Sequence, residues 1–151
     1  MTTDQNTDHH SDASFTLDLR SDTVTIDPAV RIGRFCEIQP GVTITESNLD
    51  DDVEIRQDAR VERSQIRDGA IVGAGARLSE VVVGSMSEVR SELDTPTTIE
   101  RLVALGDEVT VHAGVSMSDD ISVFPRLKIP ANIRIPPHTE VAGPADVLRY
   151  L

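Results

Sequence analysis

The sequence predicts an all-β solenoid of three-sided coils, and three observations predict it. An aliphatic residue recurs every five or six positions, a small or aliphatic residue stands two places before each, and turn-tolerant residues stand three places after many of them. The series opens Ile26, Ile32, Ile38, Ile44. It alternates five and six through Leu49, Ile55, Val61, Ile66, Val72, Leu78, Val83 and Val89, and resumes at Ile99 with a stride of six to Val141. All twenty positions are Ile, Val, Leu or Met. The frame is chosen on those residues, so the row two places earlier is the fairer test. That row runs from Val24 and Val30 through Cys36, Ser47, Ala59, Ser64, Ala76 and Ser87 to Ile133 and Thr139, with no charged residue in it. A helix repeats its apolar positions at three and four and a strand at two, so neither sustains a stride of six over about 115 residues. A chain that turns a corner after each short strand does.

Taken in order, residues 1–13 are polar and acidic and are expected to form a disordered tail. Residues 14–25 lead into the first coil, where Phe15-Thr16-Leu17-Asp18-Leu19 alternates as a strand does. Residues 26–143 form six to seven triangular coils, about 4.8 Å apart and on the order of 30 Å long in all. Their corners need a left-handed backbone, and Gly41, Asp52, Asp58, Gly69, Gly75, Gly114, Asp120 and Asn132 supply residues that tolerate it. The step from Val89 to Ile99 is longer and contains Asp94-Thr95-Pro96-Thr97-Thr98, read as about four extra residues in a corner loop. Placing Ile99 on the side of Leu78 then stacks Glu46, Arg63, Glu80, Arg101 and Asp119 with alternating signs, the arrangement in which neighbouring strands attract. Residues 144–151 follow the Gly143-Pro144 break as a short capping helix that lays Val147, Leu148 and Leu151 over the last coil.

From Ile26 to about Val141 this pattern resembles the hexapeptide-repeat left-handed parallel β-helix, and the left hand is implied by that resemblance alone. The general rule for parallel crossovers gives the opposite hand. The coils with a five-residue side, ITESNL, VERSQI and LSEVVV, and the run Ser122-Val123-Phe124-Pro125-Arg126-Leu127-Lys128-Ile129-Pro130 look most like the C-terminal domain of sugar-nucleotide pyrophosphorylases. Hexapeptide acyltransferases share the same prism. The first resemblance implies a free-standing, non-catalytic β-helix module acting in oligomerisation or as partner of a nucleotidyltransferase subunit. It further implies a homo-oligomer, with a trimer favoured. The alternative is an acyltransferase using acyl-CoA with His112 as general base, and a second alternative is a self-assembling scaffold. Pyrophosphorylases catalyse on a glycine-rich phosphate loop followed by a basic residue. Here the closely spaced Gly73 and Gly75 fall at repeat corners with no helix to receive a phosphate, so a complete pyrophosphorylase is not expected.

Composition narrows the classes further. The 151 residues carry 26 acids against 14 bases, a net charge of −12, and only Lys128 among the bases is not arginine. A surface this acidic repels nucleic acid and anionic membranes, so neither is expected as a partner. The first residues lack the basic start and apolar run of a signal peptide, which points to a cytoplasmic location. So many carboxylates with one lysine suggest the salt-rich cytoplasm of a halophilic cell, where ions screen the repulsion.

The candidate site residues are few. His112 follows an inward anchor and points outward, with Asp107 or Glu108 available to orient it as a base; the plainer reading is a solvated or interface histidine. Arg60 and Arg77 stack on one another, with Asp94 next, as a candidate anion contact, whereas Arg63 lies between two glutamates and Arg67 over Asp50 as paired surface charge. Phe35 and Phe124 fall at outward positions, as oligomer contacts or as covers for a corner. Cys36 belongs to the inward row and reads as a core thiol. No metal site is expected. The γ-class carbonic anhydrases share the prism, but Asp107 stands where the first of their paired histidines falls, with His112 matching the second. No cofactor is expected outside the acyl-CoA alternative.

With no charge in the inward rows, all forty charged side chains fall on outer faces, corners and ends. Lowering ionic strength from about 1 M to about 0.1 M lengthens screening from about 3 Å to about 10 Å. Melting temperature and oligomer size are expected to fall together over that change. Thermal unfolding and light scattering at both salts check this, and values that do not move overturn the salt-rich reading.

Overall fold

The computed structural model describes residues 16–17 and 24–151, so the acidic tail and most of the lead-in lie outside the described residues. The chain winds into a parallel β-solenoid of three faces. The first face stacks Thr16–Leu17, Glu37–Ile38, Glu54–Ile55, Ile71–Val72, Glu88–Val89, Thr110–Val111 and Lys128–Ile129. The second stacks Thr25–Ile26, Thr43–Thr45 and Arg60–Glu62, then the first halves of Arg77–Val83 and Thr98–Leu105, then Ser116–Ser118 and Arg134–Ile135. The third stacks Arg31–Ile32, Asn48–Leu49 and Gln65–Ile66, then the second halves of those two long strands, then Ile121–Val123 and Glu140–Val141. Every pairing between strands on the faces is parallel. Within each coil the backbone N–H groups donate to carbonyls of the next coil, as Thr43 N does to Ala59 O at 3.0 Å.

The aliphatic stride is the core. All twenty anchors point inward, fully buried except Ile26 and Ile32 in the first coil, which pack partly buried against the rest. The row two places earlier is buried as well, apart from Val24 and Thr139 at the two ends. Its hydroxyls have defined work. Ser64 Oγ donates to Glu62 O at 2.7 Å and accepts from Val81 N at 3.1 Å, and Ser47 Oγ accepts from Ser64 N at 3.0 Å. Thr97 donates to Arg90 O at 2.7 Å and accepts from Gly114 N at 3.1 Å. Small hydroxyl residues therefore recur inside an aliphatic core because they satisfy corner backbone groups that the ladder leaves open.

Each residue expected to hold a left-handed corner does so: Gly41, Gly69, Gly75 and Gly114 among the glycines, and Asp52, Asp58, Asp120 and Asn132 beside them. The same backbone region also holds the alternating column: Glu46, Arg63 and Glu80, where the five-residue side turns one residue earlier, and Arg101 and Asp119, each left-handed together with the residue that follows it. Arg101 Nε meets Asp119 Oδ1 at 2.6 Å and Arg63 meets Glu46 at 3.8 Å. The strand register Leu78 to Ile99 is as expected. The inserted residues, however, lie just before the place read from sequence: an antiparallel bridge joins Glu92 to Thr95, while Thr97 is already in the core and Thr98 in the strand.

A second ladder, unread in the sequence, runs up the corner between the third and first faces. Asp51 Oδ1 accepts from Arg34 N at 2.8 Å, Asp68 Oδ1 from Asp51 N at 2.9 Å, and Asp107 Oδ1 from Ser85 N at 2.8 Å. Each carboxylate thus holds the backbone of the coil below. At the C-terminal end the helix Pro144–Val147 continues as a 3-10 turn, Leu148–Tyr150. Val147 is buried and Tyr150 packs against the core, whereas Leu148 and Leu151 stand exposed. This corrects the expected cap. The tight 3-10 turn rotates Leu148 and Leu151 off the helical face that carries Val147.

Removing Ser64 Oγ leaves the buried N–H of Val81 without its acceptor. Ser64→Ala is expected to cost about 1–3 kcal/mol, while Ser116→Ala on an exposed face stays within about 0.5 kcal/mol. Denaturant unfolding of both variants measures the difference.

Candidate functional site

The outer faces hold the candidate residues, since every inward position belongs to the core. His112 follows Val111 on the first face, in the column of Arg90, and its backbone N donates to Ile129 O at 2.9 Å. The carboxylates expected to orient it are engaged elsewhere. Asp107 accepts from Ser85 N, and Glu108 meets Arg126 at 3.3 Å. Among the described residues the His112 ring has no hydrogen-bond partner. On the same face Arg56 meets Glu54 at 2.8 Å and Arg90 meets Glu88 at 3.3 Å. The hydrogen bond that Arg56 Nε donates to Glu54 Oε2 is the main cause of the raised pKa of Arg56.

Arg60 and Arg77 are direct strand partners on the second face, as expected, but the next member of their column is Thr98. Asp94 belongs to the preceding loop, so the expected carboxylate neighbour is absent from that column. The two guanidinium groups line a shallow groove with Glu62, Ser79 and Glu100. Two carboxylates beside two arginines leave little net positive potential for an anion. Arg67 follows Ile66 one coil from Asp50, but Asp50 Oδ1 accepts instead from Gln65 Nε2 at 3.0 Å. Arg63 touches Glu46 and donates to Ser79 Oγ at 3.2 Å.

Phe35 and Phe124 are both exposed, at 67% and 43%, and Met86 joins them at 65%. Phe35 and Met86 also hold left-handed backbone, φ 61° and 59°, where a bulky side chain is disfavoured. Cys36 is in the core as read. Burial pushes its thiol up, nearby Asp51 and Asp52 add to the rise, and a hydrogen bond from the Val53 backbone partly opposes it. Its Sγ donates to Asp50 O at 3.0 Å.

One pairing of the type a general base needs was missed from the sequence. His138 Nδ1 lies 3.2 Å from Asp120 Oδ2, both well exposed, at the corner between the second and third faces. They line an open groove with Leu102, Pro137 and the Arg101–Asp119 pair. The Asp119 hydrogen bond is the main cause of the raised pKa of Arg101. The signal was the spacing of eighteen residues, one full coil of six-residue sides, which stacks residue 138 on residue 120. Among the described residues no cluster of three His, Cys, Asp or Glu side chains is arranged to hold a metal, and no helix is long and apolar enough to cross a membrane.

The three stacked faces define a parallel β-helix, and the comparisons that follow place it among the left-handed ones. The family model described as the GMPPB C-terminal domain matches residues 20–139, and the chain belongs to that family. No curated protein sequence matches the chain. Among solved structures it is similar to GDP-perosamine N-acetyltransferase from Caulobacter crescentus in complex with CoA and GDP-perosamine, at 19% identity and a TM-score of 0.63, over 87% of this chain and 59% of that one. It is also similar to the acetyltransferase domain of PglB from Neisseria gonorrhoeae in complex with acetyl coenzyme A, at 17% identity and a TM-score of 0.60, over 89% and 62%. The chain therefore spans about three-fifths of the length of either, and at these identities the likeness is one of fold.

The raised thiol of Cys36 stays protonated at mildly alkaline pH, and only the thiolate reacts. Alkylation by iodoacetamide at about pH 8 is expected to be slower by about tenfold or more in the folded protein than in denaturant. Mass spectrometry of timed aliquots follows it, and equal rates would contradict the buried placement.

Proposed function

We propose that this chain is a non-catalytic β-helix module that works through association, with copies of itself or with a nucleotidyltransferase subunit. The family match covers the coiled body, and in the sugar-nucleotide pyrophosphorylases that this body resembles, the chemistry belongs to a separate nucleotide-binding domain. The observation that carries the reading is the set of large apolar side chains held out in solvent. Phe35, Met86, Leu102 and Phe124 stand exposed on a chain of net charge −12, and the first three also adopt left-handed backbone. Large apolar side chains exposed on a strongly charged surface are a feature of contact regions.

The engagement of Asp107 and Glu108 weighs against a base at His112. A second reading, acyl transfer from acyl-CoA to a sugar amine or hydroxyl, is favoured by a different observation, the His138–Asp120 pair. An imidazole held by a carboxylate can take the proton of an attacking amine.

Both readings meet in one pair of measurements. Sedimentation in high salt is expected to show an oligomer, or a complex with an added nucleotidyltransferase catalytic subunit. Incubation with acetyl-CoA and an amino-sugar nucleotide is expected to release no CoA. Turnover that Asp120→Asn and His138→Ala each lower by about a hundredfold or more would establish the second reading in place of the first.

A further inference from the structure

The first face carries two outward rows side by side, each continuing from coil to coil. One row precedes the buried anchors: Glu37, Glu54, Ile71, Glu88, Thr110 and Lys128. The other follows them: Gln39, Arg56, Gly73, Arg90, His112 and Pro130. The anchors point inward, so a line drawn over them along the solenoid separates the rows. Two ion pairs bridge that line, Glu54–Arg56 at 2.8 Å and Glu88–Arg90 at 3.3 Å, and Ile71 and Gly73 lie between them.

We propose that the first face binds a second copy of this chain, parallel and in the same register, about a two-fold axis running along that line; this deepens the self-association reading above and rests on it. The axis exchanges the two rows, so each residue of the first row faces the residue two places later in the other copy. Glu54 faces Arg56, Glu88 faces Arg90, and Ile71 faces the bare backbone of Gly73, each twice over. Each carboxylate then lies between its own guanidinium and that of the other copy, so these charges leave water paired. Glu37 faces Gln39 and Lys128 faces Pro130. Thr110 faces the His112 ring, which has no hydrogen-bond partner among the described residues of its own chain.

Charge selects this arrangement. An antiparallel pairing about Ile71 sets Glu54 on Glu88 and Arg56 on Arg90, and like charges facing each other oppose contact. The same axis drawn over the second face matches only Arg60 with Glu62, since Arg77 there faces Ser79 and Glu100 faces Thr98.

The corners that flank the first face agree with the axis. Phe35 turns the corner at one edge and meets Pro40 and Gly41 at the opposite edge of the other copy. Met86 turns the same corner further along and meets Leu93, which stands exposed beside Gly75 in the loop at that opposite edge. Gly69 faces Gly75, Glu108 faces Gly114 and Arg126 faces Asn132. One coil brings acids to the same height, Asp52 with Asp58, at corners where two apposed prisms diverge. The Asp58 carboxylate, moreover, occupies the space that a Cβ on Gly41 would take, one coil below, level with Arg34 of the other copy. Contact with a second copy thus accounts for two bulky residues, Phe35 and Met86, kept in left-handed backbone along one edge of one face.

The size is adequate. From Glu37 to Lys128 the face measures about 29 Å by about 20 Å, so apposition covers roughly 1,100 Å² counting both copies, above the roughly 1,000 Å² that a specific interface needs. The symmetry is isologous.

Sedimentation equilibrium at one fixed salt concentration tests this with two complementary variants. Arg56→Glu with Arg90→Glu leaves the central pairs all acidic, and Glu54→Arg with Glu88→Arg leaves them all basic. Each variant alone is expected to dimerise about tenfold or more weaker than the wild type, and an equal mixture of the two to recover to within about threefold of it. Thr110→Cys, which leaves every charge in place, is expected to give a dimer with a short bis-maleimide, and Thr43→Cys on the second face is not; buried Cys36 is silent in both. The face is overturned, and self-association left standing, by variants that associate as the wild type does, by a mixture that stays apart while both keep the wild-type circular dichroism spectrum, or by Thr110→Cys failing to cross-link. A wild-type chain that stays monomeric at every concentration overturns both.

Discussion

Everything in this structure depends on one requirement: each coil must lie on the one before it in register, because its backbone donors and acceptors are met only there. A parallel strand of two or three residues has almost no stability alone. The requirement is met by making corners instead of long strands specify the stacking. Left-handed residues close each corner at a fixed place, the hydroxyls of Ser47, Ser64, Ser87 and Thr97 satisfy corner backbone groups from within, and Asp51, Asp68 and Asp107 hold neighbouring coils from outside. The aliphatic anchors then fall into continuous columns and form the core. Packing follows from register here, and register from corner chemistry.

That order of causes explains what the sequence made legible. The anchors, the small inward row and the left-handed corners are local features that repeat, so they can be read before any pairing is known. The column from Glu46 to Asp119 was legible because five-residue and six-residue sides can be counted across it. What escaped needed two residues from different coils at known height. The aspartate ladder and the His138–Asp120 pair are contacts over seventeen to twenty-two residues that single-residue patterns do not advertise. The loop before Thr97 shifted one inference directly: with Thr98 in the column, Asp94 no longer followed Arg77. The cap was misread because four helical residues run into a 3-10 turn, and a helical period assigned Leu148 and Leu151 a face they do not share with Val147.

The charge imbalance also acquires a structural meaning. Part of the carboxylate excess is not free surface charge, since several aspartates accept backbone N–H groups and contribute to stacking. Five of the arginines are answered locally, by Glu46, Glu54, Glu88, Glu108 and Asp119. Exposed pairs of this kind contribute only about 0–1 kcal/mol each, so their value lies in opposing a slip of one coil. Among the described residues, charge gives way on the third face, where the outward row from Asn48 to Ser122 carries none.

A solenoid always presents a choice between growing along its axis and pairing across a face, because its terminal strands carry unpaired backbone groups. The C-terminal end of this one is covered: Val147 is buried over the last coil, and Asp146 accepts from the backbone N–H groups of Ala142 and Gly143 at 2.8 and 3.2 Å. Head-to-tail growth would have to displace that cap, so the scaffold-filament alternative works against a built feature. Pairing across a face displaces nothing. A two-fold contact also closes on itself, with each copy using the same surface, so it ends at two chains.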